Sequence, residues 1–275
     1  MVLKNNKSLG QHWLYNREIL DTIAKIASEG AAAACPSDTL RAALAKSSCS
    51  AEHIATTPSL VVEIGPGLGT LTSSLLRRFD KVVAVEFDQR LAENLPKSFP
   101  GKNLEVVNAD FLKFDLGSIK EPYVVAGNIP YYITSPIIEK LITAENAPKR
   151  IVLLIQKEVA ERILSEKETM LSLVVKNRAN VKAGPVVLRD EFTPPPKVDS
   201  QVIILEPHEP IVSDAVLKIA QLGFSAPRKK LLHNLLPLKS RDELVKIFEK
   251  IGVSVDSRPA DLHLKDYLRL FENML

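Results

Sequence analysis

The sequence of 275 residues contains no long hydrophobic run and only two cysteines. No apolar stretch approaches the roughly 20 residues that a membrane-spanning helix needs, and the polar N-terminus lacks the apolar segment of a secretory signal. The cysteines, Cys35 and Cys49, lie among small residues and do not have the spacing of metal ligands. We therefore expect a cytoplasmic protein whose two thiols are free rather than paired and which has no metal site.

An excess of charge of either sign is also missing. The net charge is +3 and the pI is about 8.7, which is weak evidence for an anionic partner. Hydrophobic residues make up 45% of the chain and charged residues 25%, so a packed core is expected rather than general disorder. The adjacent basic residues Arg228, Lys229 and Lys230 indicate either a solvated surface or a phosphate-binding face.

Short apolar runs alternate with amphipathic stretches through the middle of the chain. Strands are predicted at residues 60–64, 81–86, 104–107, 123–126 and 151–156, with two further strands, antiparallel and at the edge, at 174–183 and 201–205. Helices are predicted at residues 17–28, 68–78, 91–95 and 135–142. Strands and helices that take turns predict an α/β fold with a parallel sheet covered on both faces.

Two other parts of the chain differ from this alternation. Residues 29–58 are rich in alanine and serine, which indicates an inserted, partly mobile segment. Beyond the sheet, helical periodicity dominates, and the Ser-Arg-Asp-Glu sequence from Ser240 predicts a capped helix that ends at Gly252. The chain is therefore divided into residues 1–207, which carry the sheet and the insertion, and residues 208–275, a small all-helical domain.

A glycine-rich loop with Gly65, Gly67 and Gly69 follows a predicted strand and opens a helix. Glycines at these positions allow a tight turn and a close approach of the backbone to a ligand. Glu86 ends the next strand, where a carboxylate can accept hydrogen bonds from both hydroxyls of a ribose. The pattern predicts a cofactor that contains adenosine, and it is not a Walker loop because no Gly-Lys-Ser/Thr follows.

Two neighbouring features favour S-adenosylmethionine over a dinucleotide. Pro66 removes a backbone N–H where a pyrophosphate would need several donors. Asp110 closes the third strand of the sheet, where it can accept a hydrogen bond from an adenine amino group while Phe111 covers the adenine face. Asp110 is equally compatible with a role as a turn or helix cap.

An Asn-Ile-Pro-Tyr sequence from Asn128 to Tyr131 follows the fourth strand, at the end where ligands bind in open parallel sheets. The amino nitrogen of adenine is a poor nucleophile because its lone pair is delocalised into the ring. The side-chain oxygen of Asn128 and the carbonyl of Ile129 could accept its two N–H groups, with Pro130 fixing the backbone. Tyr131 supplies a face on which the base can stack. Catalysis would then depend on positioning and electrostatics.

With these motifs, the chain resembles nearly end to end the ribosomal RNA small-subunit adenine-N6,N6-dimethyltransferases, the kasugamycin-sensitivity methyltransferases. Residues 7–14, Lys-Ser-Leu-Gly-Gln-His-Trp-Leu, are similar to the family's cofactor-contacting Ser-Leu-Gly-Gln-Asn-Phe-Leu segment. The resemblance implies a Rossmann-like S-adenosylmethionine methyltransferase sheet with a small all-helical C-terminal domain. It implies cofactor contacts at His12 (in place of the usual Asn), Leu14, Gly65, Gly67, Glu86, Asp110 and Asn128.

Two later segments extend the resemblance. The proline-rich sequence from Phe192 to Ser200 resembles a family segment and implies that Phe192 borders the target adenine opposite Tyr131, although an ordinary loop before a strand is the alternative. Residues 224–235 resemble a helix of the C-terminal domain, with Pro227 where the family has its first arginine. This segment implies RNA contacts at Arg228, Lys229 and Lys230.

The resemblance implies that the chain dimethylates two adjacent adenosines in a hairpin loop near the 3′ end of small-subunit (16S-type) rRNA. A monomer is the default expectation for its oligomeric state. Loop bases are accessible without melting a duplex. The substrate would be the small ribosomal subunit or its precursor. Three alternatives stay open: a large-subunit rRNA adenine methyltransferase of the macrolide-resistance type, a non-catalytic RNA-binding assembly factor and, more distantly, a nicotinamide oxidoreductase.

Overall fold

The computed structural model describes residues 11–29 and 59–274, and these contain two sheets and ten α-helices. The strands are β1 (Trp13–Leu14), β2 (Leu60–Ile64), β3 (Lys81–Glu86), β4 (Leu104–Asn108), β5 (Tyr123–Asn128), β6 (Arg150–Gln156), β7 (Ala179–Val187), β8 (Phe192–Thr193) and β9 (Ser200–Pro207). The helices are α1 (Arg17–Ser28), α2 (Thr70–Leu75), α3 (Gln89–Ser98), α4 (Thr134–Thr143), α5 (Lys157–Leu164), α6 (Met170–Arg178), α7 (Asp214–Gly223), α8 (Leu231–Leu235), α9 (Arg241–Ile251) and α10 (Leu264–Met274).

Several predictions concern residues outside this described part. They are the partly mobile insertion predicted at residues 29–58, of which only Glu29 is described, the two free thiols of Cys35 and Cys49, and the first part of the family-like opening segment, residues 7–10. Among the helices of the described residues, none combines the length and the apolar character that crossing a bilayer requires.

The main sheet has seven strands in the order β4-β3-β2-β5-β6-β9-β7. The first five are parallel to one another, and β9 is antiparallel to both β6 and β7. The chain moves outward from β2 through β3 to β4, and then returns to place β5 on the other side of β2. The strand order therefore reverses between β2 and β5, and in such sheets a crevice for ligands opens at the carboxyl ends of these strands.

Two hydrophobic cores hold β2 in place. All 5 of its residues are buried, and successive side chains point to opposite faces of the sheet. Val62 and Ile64 pack in one core with apolar residues of α4, whereas Val61 packs in the other with α1. Because both faces are covered, the strand and the loop that follows it have a fixed position relative to the neighbouring strands.

Most of the predicted elements of the sheet are confirmed. The helix at residues 17–28 and the strands at 60–64 and 81–86 have the predicted bounds. The helix predicted at residues 68–78 is shorter, since Gly69 has a left-handed conformation with φ of 83° and α2 begins only after it.

The strand predicted at residues 174–183 is wrong in its first half. Thr169 and Ser172 form a capping box that begins α6, and the helix continues to Arg178 before β7 begins. The β-branched pair within α6 is typical of a strand, but the cap and burial against neighbouring helices outweigh this preference. The last predicted strand corresponds to β9, which lies between β6 and β7 rather than at the edge.

The C-terminal helices have a hydrophobic core of their own. Helices α7 to α10 pack around Phe248 and Tyr267, and α6 contributes Leu173 to the same cluster. Helix α9 begins at the predicted capping box on Ser240 and ends at Gly252, whose φ is 74°. The helical character of this region agrees with its periodicity, while the domain boundary after residue 207 stays a prediction.

Candidate active site

A cleft of about 240 Å³ opens at the carboxyl ends of β2, β3 and β5. It is formed by the segments that follow these strands and β4, together with the N-terminal segment around β1. Its lining includes nearly all of the residues that the sequence predicted as cofactor or catalytic positions: His12, Leu14, Gly65, Gly67, Glu86, Asp110, Asn128 and Tyr131.

The glycine loop presents bare backbone to this cleft. Gly65 and Gly67 have φ values of 63° and 57°, in the left-handed region where other residues are strained. The Gly65 N–H donates to the Val85 carbonyl at 3.0 Å, which ties the loop to β3. Apart from Gly65 and its two chain neighbours, no atom of the described residues lies within 4 Å of the place that a β-carbon would occupy at Gly65, so a ligand can approach the backbone there.

Glu86 is held at the end of β3 by two backbone donors. One carboxylate oxygen accepts from Gly67 N at 3.0 Å and the other from Asp88 N at 2.8 Å. Burial raises the pKa of the Glu86 carboxyl, although the N–H groups of Asp88 and Gly67 oppose this rise. Each oxygen can accept a further hydrogen bond. The carboxylate is thus oriented by the protein and retains the capacity to bind a pair of hydroxyls.

Asp110 combines the two roles that its sequence allowed. One carboxylate oxygen accepts from Leu112 N at 2.9 Å, which is a local turn interaction. The residue also lines the cleft, so its remaining acceptor capacity faces the ligand space. Phe111 lines the cleft as well, but only 5% of its surface is exposed. Its ring stacks on Phe114, with ring centroids 6.2 Å apart.

The side chain of Asn128 is oriented by the N-terminal segment. Its Nδ2 donates to the carbonyl oxygen of His12 at 2.9 Å. Since the amide group is planar, this bond directs Oδ1 the other way, and no residue in the described ranges donates to Oδ1. Asn128 is therefore neither distant from the cleft nor turned into the core, and it offers a free acceptor at the end of β5.

Tyr131 is fixed by contacts at its ring and its hydroxyl. The hydroxyl is 2.7 Å from Oγ of Ser200, a fully buried residue at the start of β9. The His12 ring stacks nearly parallel to the Tyr131 ring, with centroids 6.0 Å apart and an interplanar angle of 18°. His12 is itself fixed, because its Nδ1 lies 2.8 Å from the Pro194 carbonyl. His12 thus connects Asn128 and Tyr131 to the chain around β8.

Phe192 is the one predicted catalytic residue that the structure does not bring into the cleft. It is 2% exposed and packs in the core with Leu14, its partner in the β1–β8 pair. Because Phe192 is buried and does not line the cleft, its ring is not exposed opposite Tyr131 in this structure. The apolar ring at this position supports β1 instead.

The predicted RNA-binding residues lie away from the cleft. Arg228, Lys229 and Lys230 are exposed in the segment before α8, and none of them lines the cleft. Lys230 forms an exposed ion pair with Asp256. Such a pair contributes little to stability, and Arg228 and Lys229 form no ion pair with any described residue.

Two further residues of the site, Ser200 and Glu63, were not predicted from the sequence. Nothing in the local pattern marks Ser200, because its contact with Tyr131 joins strands that are distant in sequence. Glu63 was visible as a charged residue within an apolar strand, a placement that is rare unless the charge is paired or neutralised. It lines the cleft, is 1% exposed and accepts from Oγ1 of Thr72 at 2.6 Å. Burial raises the pKa of the Glu63 carboxyl to about 8.

The residues of the cleft fit S-adenosylmethionine. Glu86 and Asp110 provide acceptors for hydroxyl and amino groups, and Gly65 leaves its backbone open to a ligand. In the same cleft, Asn128 and Tyr131 provide an acceptor and a stacking face for a base. The main sheet is parallel except for one antiparallel strand, β9, inserted next to the edge. Together with the hydrogen-bonding groups of the cleft, this architecture defines an S-adenosylmethionine-dependent methyltransferase.

Comparisons with known proteins agree with this class. Residues 2–274 match the family model described as Ribosomal RNA adenine dimethylase. The chain is 34% identical to a ribosomal RNA small subunit methyltransferase A from Nostoc sp., over 98% of this chain and 97% of the relative. It is 35% identical to a protein with the same name from Synechocystis sp., over 98% and 96% of the two chains. The protein belongs to the ribosomal RNA adenine dimethylase family.

Two solved structures are similar over nearly their whole length. One is a dimethyladenosine transferase from Plasmodium falciparum, with 29% identity, coverage of 94% of this chain and 96% of that chain, and a TM-score of 0.71. The other is the 23S rRNA methyltransferase ErmE, with 27% identity, coverage of 95% and 99%, and a TM-score of 0.71. The predicted fold and the methyltransferase hypothesis are confirmed, whereas the nicotinamide oxidoreductase alternative is not supported.

Proposed function

We propose that this protein transfers methyl groups from S-adenosylmethionine to the N6 nitrogens of two adjacent adenosines in a hairpin loop near the 3′ end of small-subunit rRNA. The observation that carries the proposal is the placement of Asn128 and Tyr131 in the same cleft as the glycine loop and Glu86. The names of the curated relatives refer to the small ribosomal subunit, which favours that substrate. We further propose that it acts as a monomer in the cytoplasm.

Glu86, Asp110 and the backbone of the glycine loop would hold the cofactor, which supplies an electrophilic methyl group on a sulfonium. Oδ1 of Asn128 accepts one N–H of the adenine amino group, and the Ile129 carbonyl accepts the other. These two bonds draw the nitrogen lone pair away from the ring, which increases its nucleophilicity. No strong general base is needed, because the methylated nitrogen is cationic and loses its proton readily. Catalysis comes from positioning and from fixed dipoles.

The contacts around Tyr131 support a role in holding the base. Its hydroxyl is bound to Ser200 and one side of its ring faces His12, so its orientation is fixed before substrate arrives. A fixed ring stacks on a base at a smaller entropic cost than a mobile one. Phe192 is not included in this proposal, since it is buried in the core. Arg228 and Lys229 would bind phosphates of the rRNA at a distance from the cleft.

The test is methylation of isolated ribosomal subunits that lack the modification, followed by mass spectrometry of the rRNA. We expect two dimethyladenosines in the small-subunit rRNA and none in the large-subunit rRNA. Asn128→Ala should abolish transfer while the protein stays folded. Asn94→Ala on α3, which changes an asparagine that does not line the cleft, should behave as the wild type. A fully active Asn128→Ala protein would contradict the proposed chemistry.

A second candidate function follows from the similarity to ErmE, which is described as a 23S rRNA methyltransferase and has the same TM-score as the dimethyladenosine transferase. The same experiment separates the two, because product in the large-subunit rRNA alone would identify this alternative. A protein that binds small subunits but transfers no methyl group would instead be an RNA-binding assembly factor.

A further inference from the structure

The indole nitrogen of Trp13 is a buried donor without an acceptor. Trp13 lies in β1 and lines the cleft, and its Nε1 has no hydrogen-bond partner among the described residues. Leaving a buried N–H unpaired costs about 1–3 kcal/mol, and indole N–H groups normally have a partner when they are buried. The missing acceptor can be supplied by a molecule that enters the cleft.

The position of the indole shows where that acceptor would lie. A β-carbon at Gly67 would be 3.2 Å from Nε1 and 3.3 Å from Cδ1 of Trp13, so this edge of the indole lies directly against the glycine loop. The Gly67 N–H in turn donates to Glu86 at 3.0 Å. The free N–H is therefore beside the loop and the carboxylate that hold the cofactor under the proposed function.

The backbone around Trp13 holds the indole in this place. Trp13 pairs with Thr193 in the short antiparallel sheet, and the next residue, Leu14, is buried in the core. The backbone that carries the indole is consequently held in place, and the indole nitrogen itself is enclosed by the protein. Fixed donors that face an acceptor contribute more to binding than mobile ones, because less entropy is lost when the ligand binds.

We propose that Trp13 is a cofactor-binding residue whose indole N–H donates a hydrogen bond to an oxygen of bound S-adenosylmethionine. The inference rests on the proposed use of this cofactor. The acceptor is either the carboxylate of the amino-acid part or an oxygen of the ribose. The family segment that residues 7–14 resemble has phenylalanine at this position, and phenylalanine has no donor, so the resemblance does not itself imply this contact.

The first test uses the unaltered protein. Trp13 is the single tryptophan of the chain, so its indole N–H gives one assignable resonance in a nitrogen–proton correlation spectrum. Titration with S-adenosylhomocysteine should move this resonance downfield, as expected when the proton enters a hydrogen bond. An indole resonance that stays in place while the amides of Gly65 and Gly67 shift would overturn the inference.

The second test measures affinity by calorimetry for Trp13→Phe, with Tyr15→Phe as the matched control because Tyr15 is exposed and does not line the cleft. Trp13→Phe should bind S-adenosylhomocysteine about tenfold more weakly than wild type, and Tyr15→Phe should bind as wild type. Thermal unfolding of both variants verifies that they are folded. Equal affinity of Trp13→Phe and wild type would refute the hydrogen bond.

The ligand 5′-methylthioadenosine lacks the carboxylate and identifies the acceptor. If Trp13→Phe loses affinity for S-adenosylhomocysteine but not for 5′-methylthioadenosine, the N–H donates to the carboxylate. If the variant loses affinity for both ligands to a similar extent, the N–H donates to the ribose. Failure of the wild-type protein to bind S-adenosylhomocysteine would contradict the proposed function, whereas normal binding with no effect of Trp13→Phe would contradict the inference alone.

Discussion

Replacing Glu63 with glutamine should remove a large part of the dependence of stability on pH. Burial raises the pKa of this carboxyl from 4.5 to about 8 in the folded protein, and the charge of nearby Glu86 adds to the rise. The folded state therefore binds the Glu63 proton more tightly than the unfolded chain does. Its contribution to stability is fully present below the unfolded pKa and is lost as the pH rises through the folded pKa.

The size of this effect follows from the two pKa values. Each unit of pKa difference corresponds to about 1.36 kcal/mol, so the change from 4.5 to about 8 corresponds to roughly 5 kcal/mol of unfolding free energy. Glutamine keeps an acceptor for the Thr72 hydroxyl, which bonds to Glu63 at 2.6 Å, and it cannot ionise. The variant and the wild type should thus be similarly stable at about pH 4, and the variant should be more stable by several kcal/mol at about pH 9.

Urea denaturation at a series of pH values measures this difference, with linear extrapolation to zero denaturant. Glu93→Gln on α3 is the control for the loss of one carboxyl at an exposed site. If the free energies of unfolding of Glu63→Gln and wild type change with pH in parallel across this range, Glu63 ionises normally in the folded protein. That result would refute the argument from burial.

Three further predictions concern the site and its substrate. Ser200→Ala should lower the single-turnover rate constant of methyl transfer severalfold without changing the affinity for S-adenosylhomocysteine, because it removes the only hydrogen-bond partner of the Tyr131 hydroxyl among the described residues. An unchanged rate constant would argue against this positioning. Glu86→Ala should weaken cofactor binding by about 1–3 kcal/mol in calorimetry, and unchanged affinity would exclude its role. Replacing Arg228 and Lys229 with alanine should reduce the slope of log K against log salt for rRNA binding by roughly one to two; a constant slope would place the phosphate contacts elsewhere.

Much of the sheet could be predicted because its strands have a strong local signal. The strands β2 and β3 are apolar runs bounded by turn-forming residues, and burial on both faces requires that composition. The glycine loop was recognisable for a related reason, since only glycine adopts the left-handed conformations at residues 65 and 67 without strain. Helix α6 was predicted in part as a strand, because its β-branched pair favours a strand whereas its cap and its packing against neighbouring helices favour a helix.

The two-residue strands β1 and β8 illustrate the limit of such prediction. A pair of residues has no periodicity, and β1 and β8 are separated by most of the chain. Their pairing nevertheless buries Phe192 against Leu14 and places the carbonyl of His12 within hydrogen-bond distance of Asn128. The sequence therefore predicted Phe192 as a site residue because it is aromatic and lies in a family-like segment. The pairing of β8 with β1 instead buries its ring in the core.

The sequence by itself determined the class of sheet, the glycine loop and the identity of the chemical groups at the strand ends, because backbone preferences and burial patterns act over a few residues. Tertiary structure decided which of those groups face the cleft and how they are oriented. The amide of Asn128, the ring of Tyr131 and the unpaired indole N–H of Trp13 are set by contacts between distant segments. Such contacts exist only after the chain has packed, so no local pattern encodes them.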